Sequence, residues 1–510
     1  MISYARLLAC IALALGPSAC ASTRTGRGMG TRVGGGVPAH EELRSAIDSL
    51  VAASQFRNAH WGILIVDSDR GDTLYSLNAG KLFMPASNMK IVTGAVALAQ
   101  LGPEFRFKTA FVARGPLRDS VLVGDLVVHG SGDPTLSDRM QGDAMVPLRQ
   151  IADSLLAHNV RTIAGRLLPG DDAFPDANHG FGWSWDDFEE PYSAGVDELF
   201  MNEGHARITV RGGERAGDVV RVSVSPSINH PPVRVTAVTI EGGAAIVATP
   251  GGSIPAAPPS VRIMTDSAGA LTVSGAIAAG DSTVRLIAYR NQQAAFLAAL
   301  GEALRSRGIN VSGETLSTAL PLDTLFIQHS PVLRDILPVL EKPSQNQIAE
   351  ILLKTLGLER TGVGSADSGR RVVEAQLAAW GAEQDGYVIR DGSGLSRYNY
   401  LTPETIVRVL AAIRRDTAFM AFYDALAIAG VDGTIALRMR GTPAEGNVRA
   451  KTGFIAQARS LSGYVTTSDG RVLIFSILCN NWTTPQKSVN DVQDAIAAHL
   501  ASLVMASGRR

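Results

Sequence analysis

The sequence predicts a multi-domain α/β protein in which one α/β domain is assembled from both ends of the chain. Three observations lead to this prediction. The chain has 510 residues, too many for a single hydrophobic core. Strand and helix patterns alternate near the start and again in the last third of the chain. Between them lie short β-like runs separated by Gly- and Pro-rich turns, which predict an inserted β-rich region.

The first 21 residues are predicted to be an export signal. Arg6 and the amino terminus supply positive charge, residues 7–15 are apolar, and small residues follow. Two processing routes remain open. Ala19-Cys20-Ala21 fits an A-x-A cleavage site, whereas Ser18-Ala19-Cys20 is similar to a bacterial lipoprotein signal that would leave Cys20 lipid-anchored. Residues 22–40, rich in Gly and Arg, are predicted to be a flexible linker.

The remaining elements divide into a shell, built from both ends of the chain, and an insert. Periodicity predicts helices over 41–53, 85–101, 292–307, 332–340, 346–356, 370–380, 403–414 and 489–505. It predicts strands over 61–66, 73–77, 448–454, 460–466 and 472–478, which we expect to form a mixed sheet with helices on its faces. The predicted α/β domain comprises 41–104 and 287–507. The insert, 105–286, is predicted to hold two subdomains, about 105–200 with 272–286, and 201–271.

Composition excludes several classes of function. The net charge of −1 leaves no basic excess for binding nucleic acid or for electrostatic attachment to a membrane surface. The nine histidines show no metal-ligand spacing, so neither a metal nor a cofactor is predicted. Cys479 is the one cysteine after the export signal, and its apolar surroundings predict a buried strand residue without a catalytic role.

Three short motifs occur in an informative order. Ser87 and Lys90 form an S-x-x-K motif at a predicted helix start, where three residues of helix place both side chains on one face. A serine hydroxyl needs a nearby base, and a lysine serves only if its pKa is lowered. Alone the motif is weak, and a helix with a solvated lysine is the simpler reading. Ser344-Gln345-Asn346 and Lys451-Thr452-Gly453 follow, each on a suitable element, and this conjunction indicates a serine acyl-transfer enzyme.

At this point the chain resembles the penicillin-recognising serine enzymes. The long insert between Lys90 and Ser344 resembles one branch, the D-Ala-D-Ala carboxypeptidase/endopeptidase family, or class C low-molecular-mass penicillin-binding proteins. Further stretches are similar to that family over about residues 41–505: 101–107, 132–136, 182–187 and 391–397. The resemblance implies a penicillin-binding, transpeptidase-like domain, hydrolysis of peptidoglycan stem peptides in the cell envelope, and covalent inhibition by β-lactams.

The resemblance also implies roles for the motif residues. Ser87 is the nucleophile, Lys90 its base, and Ser344 with Lys451 relays the proton to the leaving nitrogen. Asn346 contacts the substrate backbone and Lys90. Further substrate contacts are expected from Thr452, Gly453, Ile455, Asp187, Arg397 and Tyr192.

Among these, Ile455 is expected to contribute an oxyanion-hole N–H, together with that of Ser87. Asp187 and Arg397, with Tyr192 nearby, are expected to bind the amine and acid of a diaminopimelate side chain. Two alternatives to substrate binding remain open: Asp187 as a solvated acid, and Arg397 as a member of a structural ion pair. Gln345 departs from the more frequent aspartate of the family. Two other functions remain open for the chain, a serine β-lactamase and a non-enzymatic wall-binding domain.

Overall fold

The computed structural model describes residues 39–241, 246–249, 252–255, 260–267, 269–314 and 321–505. The predicted export signal, with Cys20, and nearly all of the predicted linker lie outside these residues. Within them, no helix is both long enough and apolar enough to cross a membrane.

The helices agree with the periodicity of the sequence. All eight predicted helices are confirmed, and the one over 85–101 begins with a 3₁₀ turn. The α-helices in chain order are α1 Ala39–Val51, α2 Met89–Leu101, α3 Asp138–Gln141, α4 Met145–Ala157, α5 Gln292–Ser306, α6 Leu333–Glu341, α7 Asn346–Thr361, α8 Ala366–Ala379, α9 Pro403–Arg414, α10 Phe419–Ala425 and α11 Gln486–Ser502. Local chemistry explains the ends. For example, Thr402 accepts a hydrogen bond from the Thr405 N–H and Pro403 occupies the first position of α9.

The strands are shorter and more numerous in the insert than in the shell. In chain order they are β1 His60–Asp67, β2 Thr73–Leu77, β3 Lys108–Arg114, β4 Leu117–Arg118, β5 Val121–Leu122, β6 Asp125–His129, β7 Thr162–Ile163, β8 Leu167–Pro169, β9 His205–Arg211, β10 Arg221–Ser225, β11 Val233–Val235, β12 Val238–Ile240, β13 Ile246–Thr249, β14 Gly252–Pro255, β15 Val261–Thr265, β16 Leu271–Ala278, β17 Ser282–Ala288, β18 Asn310–Val311, β19 Leu322–His329, β20 Tyr387–Val388, β21 Tyr400–Leu401, β22 Ala427–Ile428, β23 Arg449–Ile455, β24 Ala458–Thr466 and β25 Val472–Asn480.

A six-stranded sheet of order β2-β1-β25-β24-β23-β22 joins the two ends of the chain, as predicted. Ile63 of β1 pairs with Ile477 of β25, although more than four hundred residues separate them. Every neighbouring pair is antiparallel, so the prediction of a mixed sheet was wrong. For one pair the reason is local: a tight turn at Asp469-Gly470 joins β24 to β25, and only antiparallel strands can be joined so closely.

Helices cover both faces of this sheet. Alternate residues of each strand point to opposite faces. On one face, Ile63 and Phe475 pack with residues of α1 and α11. On the other, Leu64 and Ile474 pack with residues of α2, α6, α7 and α9. Helix α2, which follows the S-x-x-K serine, is therefore buried between the sheet and other helices, and its position is fixed by packing on all sides.

Contacts of α5 and β19 favour a limit for the insert beyond the predicted one at 286. Phe296 and Leu300 of α5 pack in the same core as Phe111 and Ile208, and β19 pairs with β3. The boundary could not be read from periodicity because the apolar face of α5 fits either core equally well. We therefore propose that the insert runs from about β3 to β19.

The pairing of strands inside the insert also differs from the predicted division. Val284 of β17 pairs with Thr209 of β9, and β16 lies between β11 and β12. Residues 272–286 thus join the strands of 201–271 rather than those of 105–200. We propose two parts for the insert, one containing the sheets of β3–β8, β18 and β19 and the other those of β9–β17.

Candidate active site

Ser87 lies in a tight 3₁₀ turn, Ala86–Asn88, immediately before α2. Ala86 has φ +47°, a left-handed conformation that is unfavourable for any residue except glycine. The turn is held to the sheet from below. The Asn88 side chain donates to the Lys451 carbonyl at 2.7 Å, and the Ser460 hydroxyl donates to the Pro85 carbonyl at 2.7 Å. These bonds keep the strained turn, and with it Ser87, at one place above β23.

Lys90 is placed to act on the Ser87 hydroxyl. Its Nζ lies 3.0 Å from Ser87 Oγ, 2.6 Å from Asn346 Oδ1 and 2.7 Å from the Ser393 carbonyl oxygen. The ammonium is completely buried. Burial, reinforced by the positive charge of Lys451, lowers the pKa of Lys90 to about 7. At neutral pH a large fraction of Lys90 is therefore uncharged and able to accept a proton.

A second buried lysine, Lys451, lies on β23. Its Nζ donates to the Thr452 carbonyl at 2.9 Å. Burial lowers its pKa to about 8, and the carboxylate of Glu341 opposes this decrease. Glu341 is itself fully buried, and within the described part of the chain neither carboxylate oxygen has a hydrogen-bond partner. Burial raises the pKa of Glu341 to about 7 against the pull of both lysines. The two lysines and Glu341 thus form one electrostatically coupled group.

The S-x-N motif lies at the start of α7. Ser344 has φ +65° and is half-buried beside the nucleophile. Gln345 caps the helix, because its side chain accepts a hydrogen bond from the Ile348 N–H. Asn346 accepts from Lys90 and donates to the Tyr192 carbonyl at 2.7 Å. Asn346 therefore joins Lys90 to the insert.

The strand that carries K-T-G has an open edge. β22 pairs with β23 only at Arg449 and Ala450, so among the described residues no strand flanks Lys451 to Ile455 on that side. Gly453 allows β23 to approach the nucleophile turn. A Cβ there would lie 2.6 Å from the Pro85 carbonyl oxygen and 3.0 Å from the Ser87 nitrogen. An extended peptide can add to this edge, as strands do in β-augmentation.

A cavity of about 760 Å³, the nucleophile cavity, opens over Ser87. Eight of the predicted site residues line it: Ser87, Asp187, Tyr192, Ser344, Asn346, Arg397, Thr452 and Ile455. The other three, Lys90, Lys451 and Gly453, are buried around the turn that bears Ser87. The structure therefore brings all of the predicted residues to one place.

The two predicted specificity residues both reach this cavity. Arg397 donates to the Ala456 carbonyl at 3.0 Å and remains exposed, which differs from the alternative of a structural ion pair. The Tyr192 hydroxyl donates to Asp187 at 2.8 Å. Burial and the Asp187 carboxylate raise the pKa of Tyr192, so its hydroxyl stays protonated and holds Asp187 toward the cavity.

Sequence reasoning missed the buried carboxylates behind the site. Glu350 accepts from the backbone N–H groups of Gly392 and Ser393 at 3.1 and 2.7 Å, which fixes the Ser393 carbonyl that binds Lys90. Asp391 accepts from the indole N–H of Trp183 at 2.9 Å, linking the insert to the peptidase shell. The family-like stretch 391–397 was a signal for Asp391. For Glu350 and Glu341 no motif existed.

Two other sequence predictions concern cysteine and metal. Cys479 is buried in β25, as predicted, and burial raises the pKa of its thiol. Away from the nucleophile cavity, Asp172, Asp197 and Glu198 each offer a carboxylate oxygen within 4.8 Å of the others. Histidine spacing could not reveal this group, and the expectation that the chain binds no metal stays a prediction.

Comparison with known proteins places the chain among cell-wall peptidases. The model of the family described as D-Ala-D-Ala carboxypeptidase 3 (S13) matches residues 43–503. The D-alanyl-D-alanine carboxypeptidase of Actinomadura sp. (strain R39) is 35% identical over 476 residues, which is 90% of this chain and 84% of that protein. The D-alanyl-D-alanine carboxypeptidase DacB of Haemophilus influenzae is 26% identical over 83% of this chain and 86% of that protein.

The fold has a solved counterpart. The crystal structure of penicillin-binding protein 4 (dacB) from Haemophilus influenzae superposes with a TM-score of 0.75 at 22% identity, covering 90% of this chain and 99% of that one. A second structure of that protein, in complex with a β-lactam, superposes with a TM-score of 0.69. These findings confirm the predicted multi-domain α/β fold and the family resemblance that the three motifs carried.

Proposed function

Because the chain belongs to the D-Ala-D-Ala carboxypeptidase 3 (S13) family, we propose that it is an exported serine DD-peptidase that hydrolyses peptidoglycan stem peptides. It trims terminal D-Ala or cleaves D-Ala–diaminopimelate cross-links. The observation that carries the proposal is the 3.0 Å contact between Ser87 Oγ and a buried Lys90 whose pKa is lowered to about 7. A serine next to a neutral amine is an activated nucleophile.

Acylation begins when Lys90 removes the Ser87 proton and Oγ attacks the carbonyl of the penultimate D-Ala. The developing oxyanion is stabilised by the backbone N–H groups of Ser87 and Ile455. The carbon–nitrogen bond then breaks, and the proton held by Lys90 is relayed through the Ser344 hydroxyl, supported by Lys451, to the departing nitrogen, so that Lys90 is neutral again. Water then gives a proton to Lys90 as it attacks the ester carbonyl, and that proton returns to Ser87 Oγ when the ester bond breaks. The left-handed conformation of Ser344 and the buried position of Lys451 support these two roles.

The substrate binds along the open edge of β23. The extended stem peptide pairs with the strand from Lys451 to Ile455, and Thr452 meets its terminal carboxylate. The Thr452 hydroxyl is oriented by Thr434 at 2.7 Å, which supports this role. Asp187 and Arg397 bind the amine and acid of the diaminopimelate side chain at the far end of the nucleophile cavity.

β-Lactams acylate the same serine, because their strained amide imitates the D-Ala-D-Ala bond. Incubation with benzylpenicillin followed by intact-mass measurement tests the nucleophile. One adduct is expected on the wild type and none on Ser87→Ala. Ser184→Ala, a serine that lines the same cavity, is the matched control and should keep the adduct. An adduct that persists in Ser87→Ala contradicts the proposal.

D-Ala release from a pentapeptide separates the enzyme from a wall-binding protein that only retains the fold. The lifetime of the penicillin adduct separates a DD-peptidase from a β-lactamase, since a β-lactamase would hydrolyse it within seconds.

Asp187→Asn tests the specificity site. It should lower kcat/KM for a diaminopimelate pentapeptide by about tenfold, as expected for a lost charge-assisted hydrogen bond. For the same pentapeptide with its side-chain amine acetylated, the substitution should change kcat/KM little.

A further inference from the structure

A second cavity, of about 490 Å³, lies beside the nucleophile cavity. Tyr192, Ser344 and Asn346 line both, so these three residues form the wall between them. Ser87 does not line the second cavity. Its remaining surface comes from the insert and from α7 with the segment before it, and so it is a feature of the interrupted architecture rather than of the peptidase shell alone.

One wall of this cavity is the outer face of β9. Ala206 and Ile208 of that strand are buried in the insert core, so His205 and Arg207 point the other way, toward the cavity. Leu286 of β17 pairs with Arg207 and gives the same face an apolar patch. The register of β9 and β17 thus places a basic residue, Arg207, beside an apolar one, Leu286, on this wall of the cavity.

The charges of the cavity are unevenly compensated. Arg139 pairs with Glu203 at 2.5 Å. Arg207, in contrast, makes no ion pair with any of the described residues and is exposed. Asp138 also lines the cavity, and one of its oxygens accepts the Ala144 N–H at 2.9 Å. Burial lowers the pKa of His205, which is therefore neutral at pH 7. The exposed guanidinium of Arg207 therefore remains available to a carboxylate of a ligand.

The backbone of the cavity wall is strained at Glu203, which has φ +54°. Asn202 before it has φ +46°, a left-handed conformation that asparagine adopts more readily than most residues. The conformation is enforced by bonds from the Asn202 N–H to the Leu136 carbonyl at 2.7 Å and from its side chain to the His205 carbonyl at 2.9 Å. Strain of this kind persists only where the surroundings enforce it, and it clusters at ligand sites.

We propose that this second cavity, the leaving-strand cavity, binds the stem peptide that departs when a cross-link is cleaved, with Arg207 pairing with a carboxylate of that strand. The inference rests on the proposed function. Ser344 protonates the departing nitrogen, so whatever is attached to that nitrogen lies next to Ser344, where this cavity begins. A free D-Ala leaving group is too small to enter it. A cross-linked stem peptide continues past Ser344 and carries carboxylates, one of which can pair with Arg207.

Two substrates measured side by side test the inference: a pentapeptide that releases D-Ala, and a cross-linked muropeptide dimer. Arg207→Ala should lower kcat/KM for the dimer about tenfold or more, chiefly through KM, because a charge-assisted contact is lost. D-Ala release from the pentapeptide should be unchanged. Arg211→Ala removes an exposed arginine of the same strand that does not line the cavity, and it should change neither rate.

A dimer whose leaving strand has amidated carboxylates completes a double cycle. It should be cleaved more slowly by the wild type, and Arg207→Ala should have little further effect on it. Titration with benzylpenicillin gives the fraction of active enzyme in each preparation, so misfolding is measured separately. The inference is overturned if Arg207→Ala lowers kcat/KM equally for both substrates, or for neither of them. It is also overturned if the wild type releases D-Ala from the pentapeptide but cannot cleave the dimer. In that last case the proposed function stands. Failure of D-Ala release and of acylation together would instead reject the proposed function itself.

Discussion

The protonation of Lys90 predicts how acylation of Ser87 depends on pH. Lys90 must be neutral to accept the serine proton, and its pKa is lowered to about 7 by burial and by Lys451. Below that pKa the neutral fraction falls about tenfold per pH unit, so between pH 7 and pH 5 the rate of acylation should fall about fiftyfold. Above about pH 8 the rate should fall again, because Lys451, with a pKa of about 8, loses the proton it is proposed to share with Ser344.

The assay is the second-order rate of acylation by benzylpenicillin, followed by intact mass between pH 5 and pH 9.5. The circular dichroism spectrum is recorded at each pH to exclude unfolding. A profile that rises steadily to pH 9.5 would mean that Lys90 keeps the pKa of an ordinary lysine. A flat profile would mean that neither lysine exchanges a proton in the slow step. The rising profile refutes the lowered pKa of Lys90, and the flat profile refutes the assignment of Lys90 as the base.

Glu341→Gln sharpens the same experiment. The carboxylate of Glu341 raises the pKa of both buried lysines. Its removal at nearly constant shape should move both limbs of the profile to lower pH, by up to about one unit. Because Glu341 has its own pKa raised to about 7, the shift should be largest above pH 7, where the carboxylate is charged. Glu359→Gln, an exposed glutamate on α7, is the control and should leave the profile unchanged.

Three further predictions concern the framework of the site. Gly453→Ala should slow acylation by tenfold or more and destabilise the fold by about 1–3 kcal/mol, because the new Cβ would press on Pro85 and Ser87. The control is Gly301→Ala in the middle of α5, where the nearest atom to the new Cβ lies at 3.6 Å. Thermal melting should show this control to be neutral or stabilising. Gln345→Ala should cost about 1 kcal/mol in urea unfolding through loss of the α7 cap, whereas Gln345→Asp should retain both the cap and activity. Trp183→Phe should loosen the insert, seen as faster amide exchange at 391–397, with a smaller loss of acylation than Asn346→Ala.

The sequence was sufficient to name residues that the fold brings together at the candidate site. Ser87, Lys90, Ser344, Asn346 and Lys451 follow from three motifs whose order and spacing are hard to obtain by chance, and the structure brings them together. Helix positions were also readable, since α9 carries its own cap in Thr402 and Pro403. Local signals of this kind need no knowledge of the rest of the fold.

What the sequence could not reveal depends on contacts between distant segments. Glu341 reads as an ordinary acidic residue near the end of a helix, and only the packed structure shows it buried beside two lysines. The limit of the insert was missed for the same reason: α5 has one apolar face, and nothing local states which core that face joins. The positive φ of Ala86 was equally hidden, because alanine gives no sign that its backbone is strained.

The insert is more than an appendage to the catalytic domain. Asn346 holds Lys90 at 2.6 Å with one atom of its side chain and the Tyr192 carbonyl at 2.7 Å with the other. Trp183 of the insert likewise reaches Asp391, whose neighbour Gly392 is held by Glu350. The orientation of Lys90, the proposed base, is therefore coupled to two segments of the insert that also line the nucleophile cavity. In the proposed mechanism, a stem peptide that engages Asp187 and Tyr192 would stabilise the same wall that positions Asn346. Under that proposal, binding of the substrate side chain and activation of Ser87 are linked through one amide.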